Sequence, residues 1–121
     1  MLNLDTHIVI YAVTGLLRAE ERDLLEREAW AASAMVIWEI EKLALLRRMD
    51  LSPLDPELRQ VLDRITIIPV TAEIAATTRM LDFHSDPCDE IISATSVITG
   101  HRLLTRDRKI RASAVVPLAL R

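Results

Sequence analysis

Four acids in this sequence occupy places where carboxylates gathered around one point would hold a hard cation. Asp5 follows the apolar triplet LNL, and Asp107 follows RLLT, so each closes a short strand-like run. Asp89 comes three residues after the pair Asp86-Pro87, and Glu39 lies in the piece WEI of a long apolar segment. Each acid has a plain structural reading when taken alone. Asp is a preferred residue at helix N-caps, which accounts for Asp5 and Asp107. Asp86 with Pro87 is a helix-start signature, and Asp89 at the third helical position suits the helix dipole. Glu39 is more than a turn inside its helix, where the dipole no longer explains it. At about 100° per residue it falls among Met35, Leu43 and Leu46, whereas Glu41 turns toward Arg48. A carboxylate on that arc needs a partner, because an unpaired buried charge costs several kcal/mol.

Together the four demand more. Carboxylates about 5 Å apart repel by roughly 3 kcal/mol at an effective dielectric near 20. A cation among them removes that cost. Oxygen ligands, with no His or Cys pair at metal spacing, select Mg2+ or Mn2+. Such ions act on phosphates, polarising a phosphoryl oxygen and lowering the pKa of a bound water. Thr105 and Thr6 are candidates for supporting hydroxyls beside metal-bound water. Arg102, Arg106, Arg108, Lys109 and Arg111 form a local basic run: a solvated face on the plain reading, a polyanion contact beside a metal site. His7, His84 and His101 are isolated, and each reads as a surface or packing residue. Trp30 and Trp38 read as core.

The rest of the chain must position these groups. At 121 residues it fits one domain, expected to span 1–121. Half the residues are apolar and 27% charged, which is globular, and two glycines are too few for a turn-rich all-β fold. Fifteen basic and eighteen acidic side chains give a net charge of −3, which excludes binding to nucleic acid through bulk positive potential. Cys88 is the single cysteine, so it reads as a small buried hydrophobe outside any internal disulfide. MLNLDTHIVIYAV is a poor signal peptide, and no apolar run approaches the roughly 20 residues of a membrane span, so a cytoplasmic protein is expected.

Strand-like and helix-like pieces alternate. LNL reads as a strand and THIVIYAV as a helix ending near Gly15; RAEERDLLEREAW reads as an exposed helix. WAASA supplies a strand, and Ser33 caps a helix running through MVIWEIEKLALLRRM. DPELRQVLDR is helical, ITIIPV a buried strand, and TAEIAATTRMLDF a helix capped by Thr71. A helix from Asp86-Pro87 to Gly100 precedes the strand RLLT. RKIRAS is a short turn or helix, and AVVPLAL is expected as a last edge strand, since Pro117 argues against a central one. The alternation predicts an α/β fold with a central parallel sheet flanked by helices. Strand-end acids then gather at its carboxyl edge.

These pieces resemble a known family. LDTHIVIYA, SAMVIWEIEKL, DPCDEIISATS and GHRLLTRDRKI, in that order and over nearly the whole chain, are similar to the PIN-domain ribonucleases, specifically the VapC-type toxins of bacterial toxin–antitoxin pairs. The resemblance implies a metal-dependent endoribonuclease using Mg2+ or Mn2+ and leaving 5′-phosphate and 3′-hydroxyl ends. Structured RNA, especially tRNA, is the implied target. It puts the catalytic acids at Asp5, Glu39, Asp89 and Asp107, with Asp5, Asp89 and Asp107 on the metal, Thr105 as accompanying hydroxyl and Asp86 as cap. It implies a homodimer and a cognate VapB-type antitoxin that carries the pair to operator DNA. Arg106, Arg108 and Lys109 are then candidates for RNA or antitoxin contacts. Glu90 departs from the family, where the residue after the third acid is commonly Arg or another non-acidic residue. Two alternatives stand beside this reading: a non-catalytic PIN-like module binding RNA or protein, and a nuclease of RNA processing without a toxin role. A phosphoacceptor receiver module fits poorly, because Asp5 lacks an adjacent acid and the only lysines are Lys42 and Lys109.

Overall fold

A four-stranded parallel sheet runs through the molecule in the order β3-β2-β1-β4, as seen in a computed structural model that describes residues 1–46 and 50–121. The strands are β1 (Leu2–Leu4), β2 (Trp30–Ser33), β3 (Ile65–Ile68) and β4 (Arg102–Leu104). The helices are α1 (Thr6–Thr14), α2 (Ala19–Arg27), α3 (Ala34–Leu45), α4 (Pro56–Asp63), α5 (Ala72–Thr77), α6 (Pro87–Thr99) and α7 (Arg108–Arg111). Residues 47–49, expected at the end of the long central helix, lie outside the described residues. The expected α/β architecture with a parallel sheet is borne out.

Interior strand β1 pairs with β4, Leu2 opposite Arg102 and Leu4 opposite Leu104. Asp5 and Thr105 therefore leave the sheet side by side. Both faces of these strands are covered, so Leu2, Leu4, Leu103 and Leu104 are buried without the alternation of a half-exposed strand. Ile8, Val36, Ile40, Leu58 and Ile92 from the helices complete the core. Gly15 and Gly100 end α1 and α6 in the left-handed conformation (φ 77° at both), as helix-stopping glycines do.

Four expectations need correction. ITIIPV forms β3, but at the sheet's edge, where Thr66 and Ile67 are exposed instead of buried. AVVPLAL makes a single bridge, Leu103 to Leu118, instead of a strand; Leu103 donates to the Pro117 carbonyl at 2.8 Å. Trp38 is 51% exposed, with the Lys42 ammonium 5.2 Å from its ring centroid, so it is not core. The helix RAEERDLLEREAW is not wholly exposed: Glu21, Leu24 and Leu25 of α2 are buried.

A buried amide ties β1 to α6. Asn3 Nδ2 donates to the Ile92 carbonyl at 3.1 Å and to Ser96 Oγ at 2.9 Å, both in α6. Its Oδ1 has no partner among the described residues, nor has Ser93 Oγ. Asn3 holds the strand that carries Asp5 against the helix that carries Asp89. Asn3→Ala is expected to lower unfolding stability by about 2 kcal/mol, because Ser96 loses its partner and a void opens. Urea unfolding followed by circular dichroism measures this, and an unchanged midpoint would refute the tie.

Candidate metal centre

Asp5, Glu39, Asp86, Asp89 and Asp107 line one cavity of about 380 Å³ at the carboxyl edge of the sheet, together with His7, Tyr11 and Arg106. All four acids singled out in the sequence share it. A parallel sheet directs its strand ends this way, which is why residues up to about a hundred positions apart meet.

Each acid is held by a local device. Asp5 caps α1, one oxygen accepting from the Thr6 amide at 2.8 Å. The other oxygen accepts from Thr105 Oγ1 at 2.6 Å, and Thr105 in turn accepts the Asp107 amide at 3.0 Å. Thr105 thus links two of the acids directly. Asp107 caps α7 by accepting the Ile110 amide at 3.0 Å. Thr6 donates its hydroxyl to Glu39 Oε1, which supplies the partner that the inward position of Glu39 required. Both threonine hydroxyls are engaged by carboxylates. Asp86 caps α6 through the Asp89 amide at 2.9 Å, as its Asp-Pro signature indicated, and yet lines the cavity as well. Asp89 accepts from Ser85 Oγ at 2.7 Å, while Glu90 accepts from the Ser85 amide at 2.9 Å. Glu90 therefore buttresses the turn ahead of α6.

Crowding and burial act on these groups in one direction. Burial pushes the Asp5 and Glu39 carboxyls up, against the hydrogen bonds from Thr105 and Thr6. Asp89 is pushed up to about 7, first by burial and then by the charges of Asp86, Asp5 and Asp107. The free thiol of Cys88, buried as expected, is pushed up to about 12 by burial and then by the charges of Glu39, Asp86, Asp89 and Asp5. Ligand atoms of Glu39, Asp86 and Cys88 all lie within 4.8 Å of one another. Five carboxylates line the cavity and Cys88 does not, which leaves carboxylate oxygens as the donor set. That set fits Mg2+ or Mn2+ and does not fit a thiolate-seeking ion.

Arg106 adds a feature that the sequence did not disclose. Its Nε and Nη2 donate to the two oxygens of Glu21 at 2.8 and 2.7 Å, and Nη2 also donates to the Leu16 carbonyl at 2.8 Å. Its guanidinium carbon lies 4.1 Å from the Tyr11 ring centroid. Glu21 is only 3% exposed; burial works against its charge, but Arg106 outweighs it and holds the carboxyl below the usual range. On the sequence Glu21 is one acid among many in a charged helix, and its partner lies 85 residues away. No local signal could have paired them. Of the other basic candidates, Lys109 donates to the His84 carbonyl at 2.8 Å, and Arg108 is exposed. Arg102 pairs with Glu28 at the far end of β4.

Comparison with known proteins bears on the family and the fold. Over 115 residues the chain is 31% identical to Ribonuclease VapC22 of Mycobacterium tuberculosis, covering 90% of this chain and 88% of that protein. Its fold superposes on a toxin–antitoxin complex from Klebsiella pneumoniae with a TM-score of 0.68 at 25% identity, covering 93% of this chain and 91% of that one. VapBC2 from Rickettsia felis, solved bound to a promoter DNA fragment, matches with a TM-score of 0.70 at 19% identity, covering 98% and 97% of the two chains. The PIN domain family matches residues 3–115, a span that contains every acid of the cavity. On that match, and with a relative aligned over nine-tenths of its length, the chain belongs to the PIN-domain family.

Proposed function

We propose that this PIN domain is an endoribonuclease dependent on Mg2+ or Mn2+ and that it serves as the toxin of a toxin–antitoxin pair. The observation that carries the reading is the convergence of five carboxylates on one cavity, with Asp5, Glu39 and Asp89 all pushed upward, first by burial and then by neighbouring acids. Arg106, the one Lys or Arg among the described residues of the lining, pairs with Glu21 through Nε and Nη2. A relative named as a ribonuclease and fold neighbours solved as toxin–antitoxin complexes support the activity and the role.

Asp5, Asp89 and Asp107 would hold the cation, with Asp86 lining the same cavity. When bound, such an ion supplies Lewis acidity toward a phosphoryl oxygen and lowers the pKa of water. Thr105, bonded to the Asp5 carboxylate and to the Asp107 amide, keeps the two residues in fixed relation at the cavity. Glu39, with Oε1 held by Thr6, keeps Oε2 to orient the attacking water and take its proton. The phosphodiester then opens to 5′-phosphate and 3′-hydroxyl ends, and tRNA or another structured RNA is the substrate class.

A protein partner is supported by apolar side chains left in solvent on α3 and just beyond it: Trp38, Leu45 and Leu46 are all more than half exposed. A second copy of the chain and a VapB-type antitoxin are the partners proposed for such surfaces, with DNA reached only through the antitoxin. Among the described residues no helix is long and apolar enough to cross a membrane. A cytoplasmic location is proposed.

Antitoxin-free protein incubated with a mixed cellular RNA pool tests the activity. Discrete cuts with 5′-phosphate ends are expected with Mg2+ or Mn2+ and none with EDTA. Absence of cutting with both metals over a broad RNA set would point instead to a binding module.

A further inference from the structure

The acids explain how a phosphodiester is opened but not how one bond is chosen, and a second set of groups in the same cavity bears on that choice. His7 and Tyr11 lie one turn apart on α1, with ring centroids 6.0 Å apart and planes inclined by 46°. Arg106 continues the row, its guanidinium carbon 4.1 Å from the Tyr11 centroid. All three line the cavity beside Asp5 and Asp107. The chain has only four Phe, Trp and Tyr residues, of which Trp30 and Phe83 pack against the core. Tyr11 is the one of the four that lines this cavity among the described residues.

A packing role accounts for part of this row. The Arg106 bonds to Glu21 and to the Leu16 carbonyl tie α2 and the α1–α2 connection to the turn after β4. Packing does not account for His7, which is exposed and contributes nothing to the core. Nor does it use all of Arg106. Nε and Nη2 are taken up by Glu21 and Leu16, whereas Nη1 bonds neither of them. Glu21 and Leu16 hold the guanidinium still, so Nη1 is presented without further ordering. A polyanion approaching five carboxylates is repelled everywhere in the cavity except along this row. Flat rings and a fixed Arg are also the groups on which unpaired bases stack. At about 380 Å³ the cavity has room for about one nucleotide beside the reacting phosphate.

We propose that His7, Tyr11 and Arg106 form the subsite for the nucleotide flanking the scissile phosphate and thereby determine which RNA sequence is cut. The base lies against the His7–Tyr11 face, and Arg106 Nη1 meets the neighbouring phosphate. Glu21 is a positioning residue that holds Arg106 in place. The inference rests on the nuclease reading above and adds to it the residues that carry selectivity.

An RNA library randomised around an unpaired segment tests this, with cut positions read by sequencing the 5′-phosphate ends in Mg2+ and in Mn2+. Wild-type protein is compared with His7→Ala, which removes an exposed side chain, and Tyr11→Leu, which keeps apolar bulk; thermal melts verify both folds. The wild type is expected to select one short sequence. Both variants are expected to lose selectivity at one position next to the cut and to lose about tenfold to a hundredfold in kcat/KM on the preferred sequence. Variants that fold and keep both the wild-type sequence and its kcat/KM would overturn the subsite while leaving the nuclease standing. Unchanged cutting joined to loss of inhibition by a VapB-type antitoxin would make the row a protein contact and overturn the proposal too. A wild-type protein that cuts nothing with either metal would bring down the nuclease reading and this inference together.

Discussion

Asp89→Asn is expected to reduce metal-dependent cleavage by on the order of 10³-fold while leaving the metal-free fold no less stable at pH 8. The two halves of this expectation come from one carboxylate. Asp89 is placed on the first turn of α6, which Asp86 caps, and it shares the cavity with Asp5 and Asp107. Its charged form is disfavoured by burial and by those neighbours, which is why it is pushed up to about 7. The amide of the variant keeps the shape and relieves the repulsion, but it offers a cation only a neutral oxygen. A residue kept solely for the fold would behave in the reverse way, losing stability on substitution and leaving cleavage intact. Single-turnover cleavage of one mapped RNA, together with urea unfolding at pH 8, measures both halves. Activity within tenfold of wild type would remove Asp89 from the site.

Without metal, the protein is expected to lose stability as pH rises from 5 to 8, and Mg2+ or Mn2+ is expected to restore it. The sign follows from proton binding. Between the ordinary carboxyl value of 3.8 and about 7, native Asp89 holds more protons than the unfolded chain does, so raising the pH favours unfolding. Asp5 and Glu39, also pushed upward, act in the same sense. Glu21, Glu28 and Asp82 are held below their usual values and contribute stability that is lost only in more acidic solution, below this window. A cation bound by the native cavity competes with those protons. At a hundredfold excess over its Kd it adds about 2.7 kcal/mol, roughly 10 °C in Tm for a chain of this size. The shift should be large at pH 8 and small at pH 5. Thermal melts with EDTA, Mg2+ and Mn2+ at the two pH values decide it. A metal shift equal at both pH values, or apo stability that climbs toward pH 8, would contradict a cation site built from these acids.

Much of this was legible in the sequence because it is local. Helix stops at Gly15 and Gly100, caps at Ser33, Thr71 and Asp86, and the apolar triplet before Asp5 each depend on a few adjacent residues. Their order then leaves a parallel sheet as the economical arrangement, and a parallel sheet sends Asp5 and Asp107 to one edge. Glu39 was conspicuous for the opposite reason: no local rule explained a carboxylate at that place on α3. The failures have a common cause. ITIIPV has the composition of a buried strand, but its exposure depends on whether another strand lies beyond it, and none does among the described residues. Trp38 has the chemistry of a core residue and sits on a part of α3 that nothing described here covers.

The sequence by itself determined the strand and helix pieces, the absence of bulk positive charge and the four acids around which a cation would bind. Only the tertiary structure decided that Asp86 joins them while capping α6, that Glu21 is buried to hold Arg106, and that His7 and Tyr11 share the acids' cavity. The physical reason is range. Capping and periodicity are read within one or two helical turns, whereas burial and ion pairing depend on chain segments brought together across the whole sheet.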